Sequence, residues 1–190
     1  MHALSGDRTT NAAAVNFLAA SSMLKLAQLG EEGNFYSSMA SIVFSAFTYE
    51  AFLNIAGEEV IPPTEWEKIE RAGWRRKQAA LFKVLSVPID MDTRPGSTLD
   101  EIFEFRNRMA HGREETKEVN GVTVADLRPL TIQEATSTDW ERKCSPEFAA
   151  RAFCDVRDVG FIIAKAMNRP VYGSNPFGIP SWGGFGARTS

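Results

Sequence analysis

The chain has 190 residues, of which 44% are apolar, and its 21 Lys and Arg against 24 Asp and Glu leave a formal net charge of −3. That length suits one domain with a sizeable core plus a tail, and the charge balance excludes a global basic field, so a polyanion would have to meet a local patch. Cys144 and Cys154 form no Cys-x-x-Cys pair and only two histidines accompany them, which argues against a structural zinc and for free thiols in a reducing cytosol.

Met1 to Thr10 lacks the basic-then-apolar order of a secretory signal. A first helix is expected from about Asn11 to Leu29, capped by Thr9, Thr10 or Asn11 and stopped by Gly30. A second is expected from about Asn34 to Ala56, with Asn34 as cap and Gly57 as terminator. Met39 to Gly57 is apolar enough for a membrane span, but Thr48, Tyr49, Glu50 and Asn54 within it argue for a buried helix of a water-soluble bundle. The expectation is a cytoplasmic chain without a membrane partner.

Val60-Ile61-Pro62-Pro63 forces an extended break. A third helical stretch, about Thr64 to Leu85, is interrupted near Gly73, and a loop runs from Pro88 to Gly96. Thr98 or Ser97 can cap the next helix, about Leu99 to Ala110, which Gly112 stops. Asn120-Gly121 between β-branched residues then signals a hairpin at about 117–126. Ser145-Pro146-Glu147 opens the last long helix, to about Asn168, with proline at its first position.

From 169 to 190, eight glycines and prolines leave little scope for regular structure, so this reads as a mobile tail. Tyr172, Phe177, Trp182 and Phe185 could anchor a partner there, although a loosely packed arm is the simpler account. The sum is an all-α bundle of four to five helices spanning residues 1–168 as one domain, with a small β-hairpin insertion and a Gly/Pro-rich C-terminal tail.

Charge placement on the helices singles out a site. On a wheel of about 100° per residue, Leu99, Ile102, Phe103, Met109 and Ala110 share one broad face, and Arg106 falls in its middle. Asn107 and His111, one turn apart, lie on the flank near Asp100 and Glu104. In the second helix Glu50 sits at the centre of the stripe made by Met39, Val43, Ala46, Phe47 and Leu53, with Asn54 one turn on. Opposite charges at core-type positions need a partner or a task, and a Glu50–Arg106 ion pair is expected. The wheel by itself favours a bridge that only fixes helix register. A histidine in the last turn of a helix can likewise serve merely as a cap.

Arg106-Asn107-x-x-x-His111, closing a helix before Gly112, resembles the signature of the HEPN superfamily. Phe47-Thr48-Tyr49-Glu50-Ala51-Phe52-Leu53-Asn54 is similar to the acidic, apolar helix that packs beside the motif helix in that family. The resemblance covers roughly Asn11 to Gly112 plus the final helix. It implies a HEPN-like bundle that dimerises so that two motif helices meet across a cleft. Many members are metal-independent endoribonucleases, often toxins or antiviral defence effectors, whereas others only bind or partner nucleotidyltransferases. Carried over, Arg106 and His111 would be the catalytic pair, with Asn107 beside them and Glu50 and Asn54 in support.

Those residue types suit the reaction. RNA brings its own nucleophile, the 2′-OH, so the protein need only move protons and stabilise charge on phosphorus. Imidazole can take or give a proton near neutral pH, and a guanidinium can stabilise the extra negative charge of the transition state. One histidine cannot be acid and base at once, but a homodimer brings two. Arg106 and His111 point about 140° apart on an ideal helix, so the site requires an unwound helix end at His111 or help from the second copy.

Lys68, Arg71, Arg75, Arg76 and Lys77, interleaved with Trp66 and Trp74, form the densest basic-aromatic segment. With Arg108 and Arg113 it could track a phosphate backbone and stack bases, although Glu65, Glu67 and Glu70 neutralise much of it and a solvated helix face is the simpler account. Asp90 and Asp92 read as solvated loop acids, and no metal or cofactor is expected. The expected function is a homodimeric endoribonuclease acting on RNA, with an antitoxin or other protein as possible partner. The alternatives are a non-catalytic protein-binding module and a nucleotide-binding bundle in which Arg106 grips a phosphate.

Overall fold

In the computed structural model, residues 3–30, 33–112, 114–116 and 136–188 are described. Asn11 is extended (φ −97°) and its Oδ1 accepts from the Ala14 N–H at 3.1 Å, so of the three expected caps Asn11 starts α1, Ala12–Gln28. Gly30 follows at φ +70°, a left-handed turn that glycine makes without strain.

α2 spans Asn34–Val60, and its ends differ from expectation. Gly33, at φ +95°, occupies the cap position in place of Asn34. Gly57 does not terminate the helix, because Glu58-Glu59-Val60 continues it and the turn into Pro62 ends it. Gly57 instead makes room for Trp66, whose ring a Cβ there would strike. By length and composition α2 could cross a membrane, yet half of its most apolar window is buried within the bundle.

α3 (Pro63–Trp66) and α4 (Trp74–Leu85) are separated by turns over 67–73, so the expected helix from Thr64 stops at Trp66, well before Gly73, which caps α4. α5 spans Gly96–Ala110 and starts earlier than either expected cap. Thr98 is turned inward and donates from Oγ1 to Asp155 Oδ2 at 2.6 Å, so it does not cap. A short α6, Asp139–Lys143, carries a reciprocal Thr138–Glu141 capping box. α7, Pro146–Ala166, opens on Ser145 and Pro146 as the sequence indicates. The fold is predominantly α-helical among the described residues, and the expected hairpin at 117–126 lies outside them.

α2 is the centre of the bundle, packed against α1, α4, α5 and α7. Its Ile42, Tyr49, Phe52 and Leu53 meet Phe17, Leu81, Leu99, Ile102, Val156 and Ile163 in one continuous core. Each such fully buried side chain is worth about 1.5–3 kcal/mol of burial.

The segment expected to be a mobile tail is packed instead. Phe177 is fully buried between the rings of Phe17 and Phe52, at centroid distances of 5.1 and 5.0 Å. Gly160 of α7 leaves the space for it, since a Cβ there would lie 2.6 Å from Phe177 Cζ. Asn11 Nδ2 donates to the Phe177 carbonyl at 2.7 Å, and the Asn11 N–H donates to the Pro180 carbonyl at 2.8 Å. Beyond it, β2 (Ser181–Arg188) pairs antiparallel with β1 (Ala3–Thr10), Thr10 opposite Ser181. One aromatic anchor and a backbone ladder suffice where composition argues against regular structure.

Candidate functional site

The sequence brings two oppositely charged residues onto facing helices because each stands in an otherwise apolar stripe. Glu50 Oε2 accepts from Arg106 Nη2, joining α2 to α5. Phe47 and Phe103 stand against the guanidinium, with ring centroids 5.8 and 5.3 Å from its central carbon. Arg106 Nη1 donates to Asn107 Oδ1 at 3.0 Å, while Arg106 Nε is buried without a hydrogen-bond partner. The pair is only partly enclosed, with side-chain exposures of 20% for Arg106 and 32% for Glu50. Both terminal nitrogens of the guanidinium are thus held within the chain, and its partial exposure leaves the positive charge within reach of an anion at the surface.

His111 is the C-cap residue of α5, at φ −124° and ψ 26°, so the chain leaves the helix there. Its N–H still donates to the Asn107 carbonyl at 2.9 Å. The ring is exposed, as are Asn107, Ala110 and Gly112, and no hydrogen bond joins it to Arg106 among the described residues. Because His111 is outside the helix, the ideal-helix separation of Arg106 and His111 no longer dictates where the imidazole points. Glu50, Arg106 and Asn107 thus form one connected series, and His111 lies one turn beyond its end.

The remaining expected residues divide. Asn54, one turn after Glu50, accepts from Lys77 Nζ at 2.7 Å. That engages Lys77, which is only 6% exposed, so it cannot track a phosphate backbone as expected. It is buried because its ammonium finds a carboxamide beside the Trp66 ring. Trp66 is buried in the core, and Trp74 has one face stacked on Phe103 at 4.3 Å with the Arg75 guanidinium carbon 5.5 Å from its ring centroid. Arg75 is held by Asp100 through Nε and Nη2 at 2.9 and 2.7 Å.

Arg76 is exposed and unpaired among the described residues, lining a groove of about 460 Å³ with Lys68, Lys83, Ile61, Ala80 and Val84. Arg108 pairs with Glu115 and borders a second groove of about 430 Å³ with Glu104, Phe105, Trp140, Arg142 and Lys143. Arg113 lies outside the described residues. Of the basic segment, Lys68 and Arg71 are exposed but paired with Glu65 and Glu70, which leaves Arg76 as its exposed, unpaired member among the described residues; the Arg108 groove is separate from it. Among the described residues no three His, Cys, Asp or Glu side chains gather where they could hold a metal ion.

One supporting acid went unread. Asp155 of α7 is buried and accepts from Arg94 Nε and Nη2 at 2.8 and 2.7 Å as well as from Thr98. The hydrogen bond to Asp155, and then its charge, raise the Arg94 pKa further above the ordinary guanidinium value. This clamp fixes the first turn of α5, at the opposite end of the helix from His111. The signal was present: Asp155 is seven residues after Phe148 in the stripe Phe148, Ala152, Val156, Val159, an acid in an apolar line just as Glu50 is.

No protein-family model, curated protein or solved structure matches the chain.

Proposed function

We propose that this chain is a metal-independent endoribonuclease of HEPN type, acting as a cytoplasmic homodimer in a toxin–antitoxin or antiviral defence setting. The observation that supports it best is the partly exposed Arg106, held by Glu50 and Asn107 near the end of α5, with His111 exposed one turn beyond Asn107. In this reading the His111 imidazole takes the proton of a ribose 2′-OH. The 2′-oxygen attacks the adjacent phosphorus, the bond to the 5′-oxygen breaks, and the second copy's imidazole protonates that leaving oxygen. Arg106 stabilises the charge that builds on the phosphoryl oxygens. Glu50 and Asn107 hold the guanidinium in place, so little reorganisation remains for the reacting state. The products carry a 2′,3′-cyclic phosphate and a 5′-hydroxyl.

The decisive experiment incubates the purified chain with RNA in the presence of a chelator. Cleavage with cyclic-phosphate ends, lost in His111→Ala, supports the proposal, and cleavage that survives in that variant refutes the assignment of His111. A second reading has its own support. The Glu50–Arg106 pair already satisfies both charges within one chain, as in an architectural bridge of a non-catalytic binding module. Absence of any cleavage, with Arg106→Ala destabilising the fold, would favour that module. Thermal stabilisation by a nucleotide would favour a nucleotide-binding version of it.

A further inference from the structure

α4 carries four bases, Arg75, Arg76, Lys77 and Lys83, and no acid among its 12 residues, so no carboxylate one turn away on the helix itself offsets them. Two of the four are engaged by other elements, Arg75 by Asp100 and Lys77 by Asn54. Arg76 and Lys83 are exposed, and neither has an ion-pair partner among the described residues. Among the residues lining the groove beside them the one acid is Glu65. It is bonded to Lys68 at 2.8 Å and feels Lys83 only at longer range.

Seven residues apart, Arg76 and Lys83 stand within about 20° of one another around the helix and about 10.5 Å apart along its axis. They form one rim of the groove of about 460 Å³, and Lys68 and Glu65 form the other. Between the rims lie Ile61, Pro62, Ile69, Ala80 and Val84, with Val84 48% exposed. An apolar floor under a cationic rim suits an occupant that is both apolar and acidic. The spacing of the cations then selects among such occupants. A fatty acid has one carboxylate and would reach Arg76 or Lys83 but not both. Single-stranded RNA would need a ring to stack on, and no aromatic side chain is among those lining the groove. A helix repeats the period of α4, so carboxylates at its positions i and i+7 meet both cations while apolar side chains at i+3 and i+4 fill the trough. Ala80, small and midway between the two cations, lets that helix approach closely.

We propose that this groove is the docking site for an acidic amphipathic helix of a partner protein. Two carboxylates of the partner pair with Arg76 and Lys83, and its apolar ridge lies on Ile61, Ile69, Ala80 and Val84. The ligand chemistry is thus carboxylate on a hydrophobic ridge rather than the phosphate of a nucleic-acid backbone. The groove is built from α4, the C-cap residue Ile61 of α2 and the turns that follow, whereas Arg106 is on α5 and His111 is its C-cap. The proposal therefore does not rest on the nuclease reading.

The probe is a synthetic helical peptide with two glutamates set seven residues apart beside a leucine ridge, labelled with a fluorophore and titrated with the full chain by anisotropy. It should bind at least about tenfold more tightly than the same peptide with lysines in place of the glutamates. Its binding should weaken as salt rises from about 50 to about 500 mM. Arg76→Glu with Lys83→Glu should cost at least about tenfold in affinity, and Val84→Asn, which keeps both cations, about threefold. Arg71→Glu, exposed and paired with Glu70 outside the groove, should change affinity less than about twofold. All these positions are exposed, so the helical signal should persist. Arg76→Gln with Lys83→Gln, which removes the charges without reversing them, gives the same readout should the reversal disturb the fold. Equal binding of the two peptides, binding indifferent to both double substitutions, or displacement of the acidic peptide by laurate or by an RNA oligonucleotide overturns the proposal. Because peptide binding is measured equally well in His111→Ala, this proposal and the nuclease proposal fail separately.

Discussion

Glu50 of α2 and Arg106 of α5 form an ion pair flanked by two aromatic rings, so one guanidinium ties the central helix to the motif helix while staying partly exposed. Its strength is measurable. A double-mutant cycle of Glu50→Gln and Arg106→Met, read by urea unfolding, should give a coupling of about 1–2 kcal/mol. Additive losses would show that the two side chains do not interact in solution. Arg106→Lys should fail to restore the pairing, because an ammonium cannot bond Glu50 and Asn107 in the same planar fork.

His111 has no such structural duty. Exposed at the helix end, it should be replaceable by alanine with a change in stability of about 0.5 kcal/mol or less. The same variant should lose RNA cleavage by at least about a hundredfold, the usual contribution of a general acid or base. Thermal melts and a gel of labelled RNA measure the two effects side by side.

Phe177 should behave as a core residue. Phe177→Ala is expected to cost about 3–5 kcal/mol, as for other buried aromatic truncations. Gly160→Ala should also lower the melting temperature, since its methyl would stand 2.6 Å from the Phe177 ring. Deleting residues 170–190 would remove this anchor too, so a loss of partner binding in that deletion must be corrected for the loss of fold. A melt of Phe177→Ala unchanged from the parent would place residue 177 outside the core.

The thiols should differ sharply. Burial, and then the charge of Glu141, push the Cys144 pKa up from 9.0 to about 12, so at neutral pH it presents almost no thiolate. A disulfide reagent should therefore label the half-buried Cys154 first and Cys144 only on unfolding.

Alkali should weaken the fold. Burial raises the Tyr49 hydroxyl well above 10.0, the same direction as Cys144. A raised value means that the folded state keeps its proton while the unfolded chain has lost it. The contribution is intact below about pH 9 and is lost as the pH climbs toward about 12. Urea midpoints at pH 8 and pH 10.5 should fall in that order, and Tyr49→Phe should flatten the decline.

Helix placement was readable because charge and apolar residues alternate with a helical period, and because Asn11, Gly30, Gly73 and Ser145-Pro146 punctuate it with side chains of known habit. The Glu50–Arg106 pair was readable for the same reason, since a charge in an apolar stripe stands out on a wheel. Gly57 misled because the same residue can end a helix or admit a neighbouring ring, and only the position of Trp66 decides between them. Lys77 misled because charge alone does not reveal that Asn54 waits for it on another helix. The arm ending in β2 was hidden by its glycines and prolines, which disfavour local order but do not forbid a docked phenylalanine.

Asn11 links the beginning of the fold to its end. One carboxamide starts a helix with its oxygen and grips a carbonyl 166 residues away with its nitrogen. The opening turn of α1 and the docked arm are thereby made to unzip in concert, so amide exchange at Ala14 should quicken when Phe177 is truncated, a report carried across nearly the full length of the polypeptide.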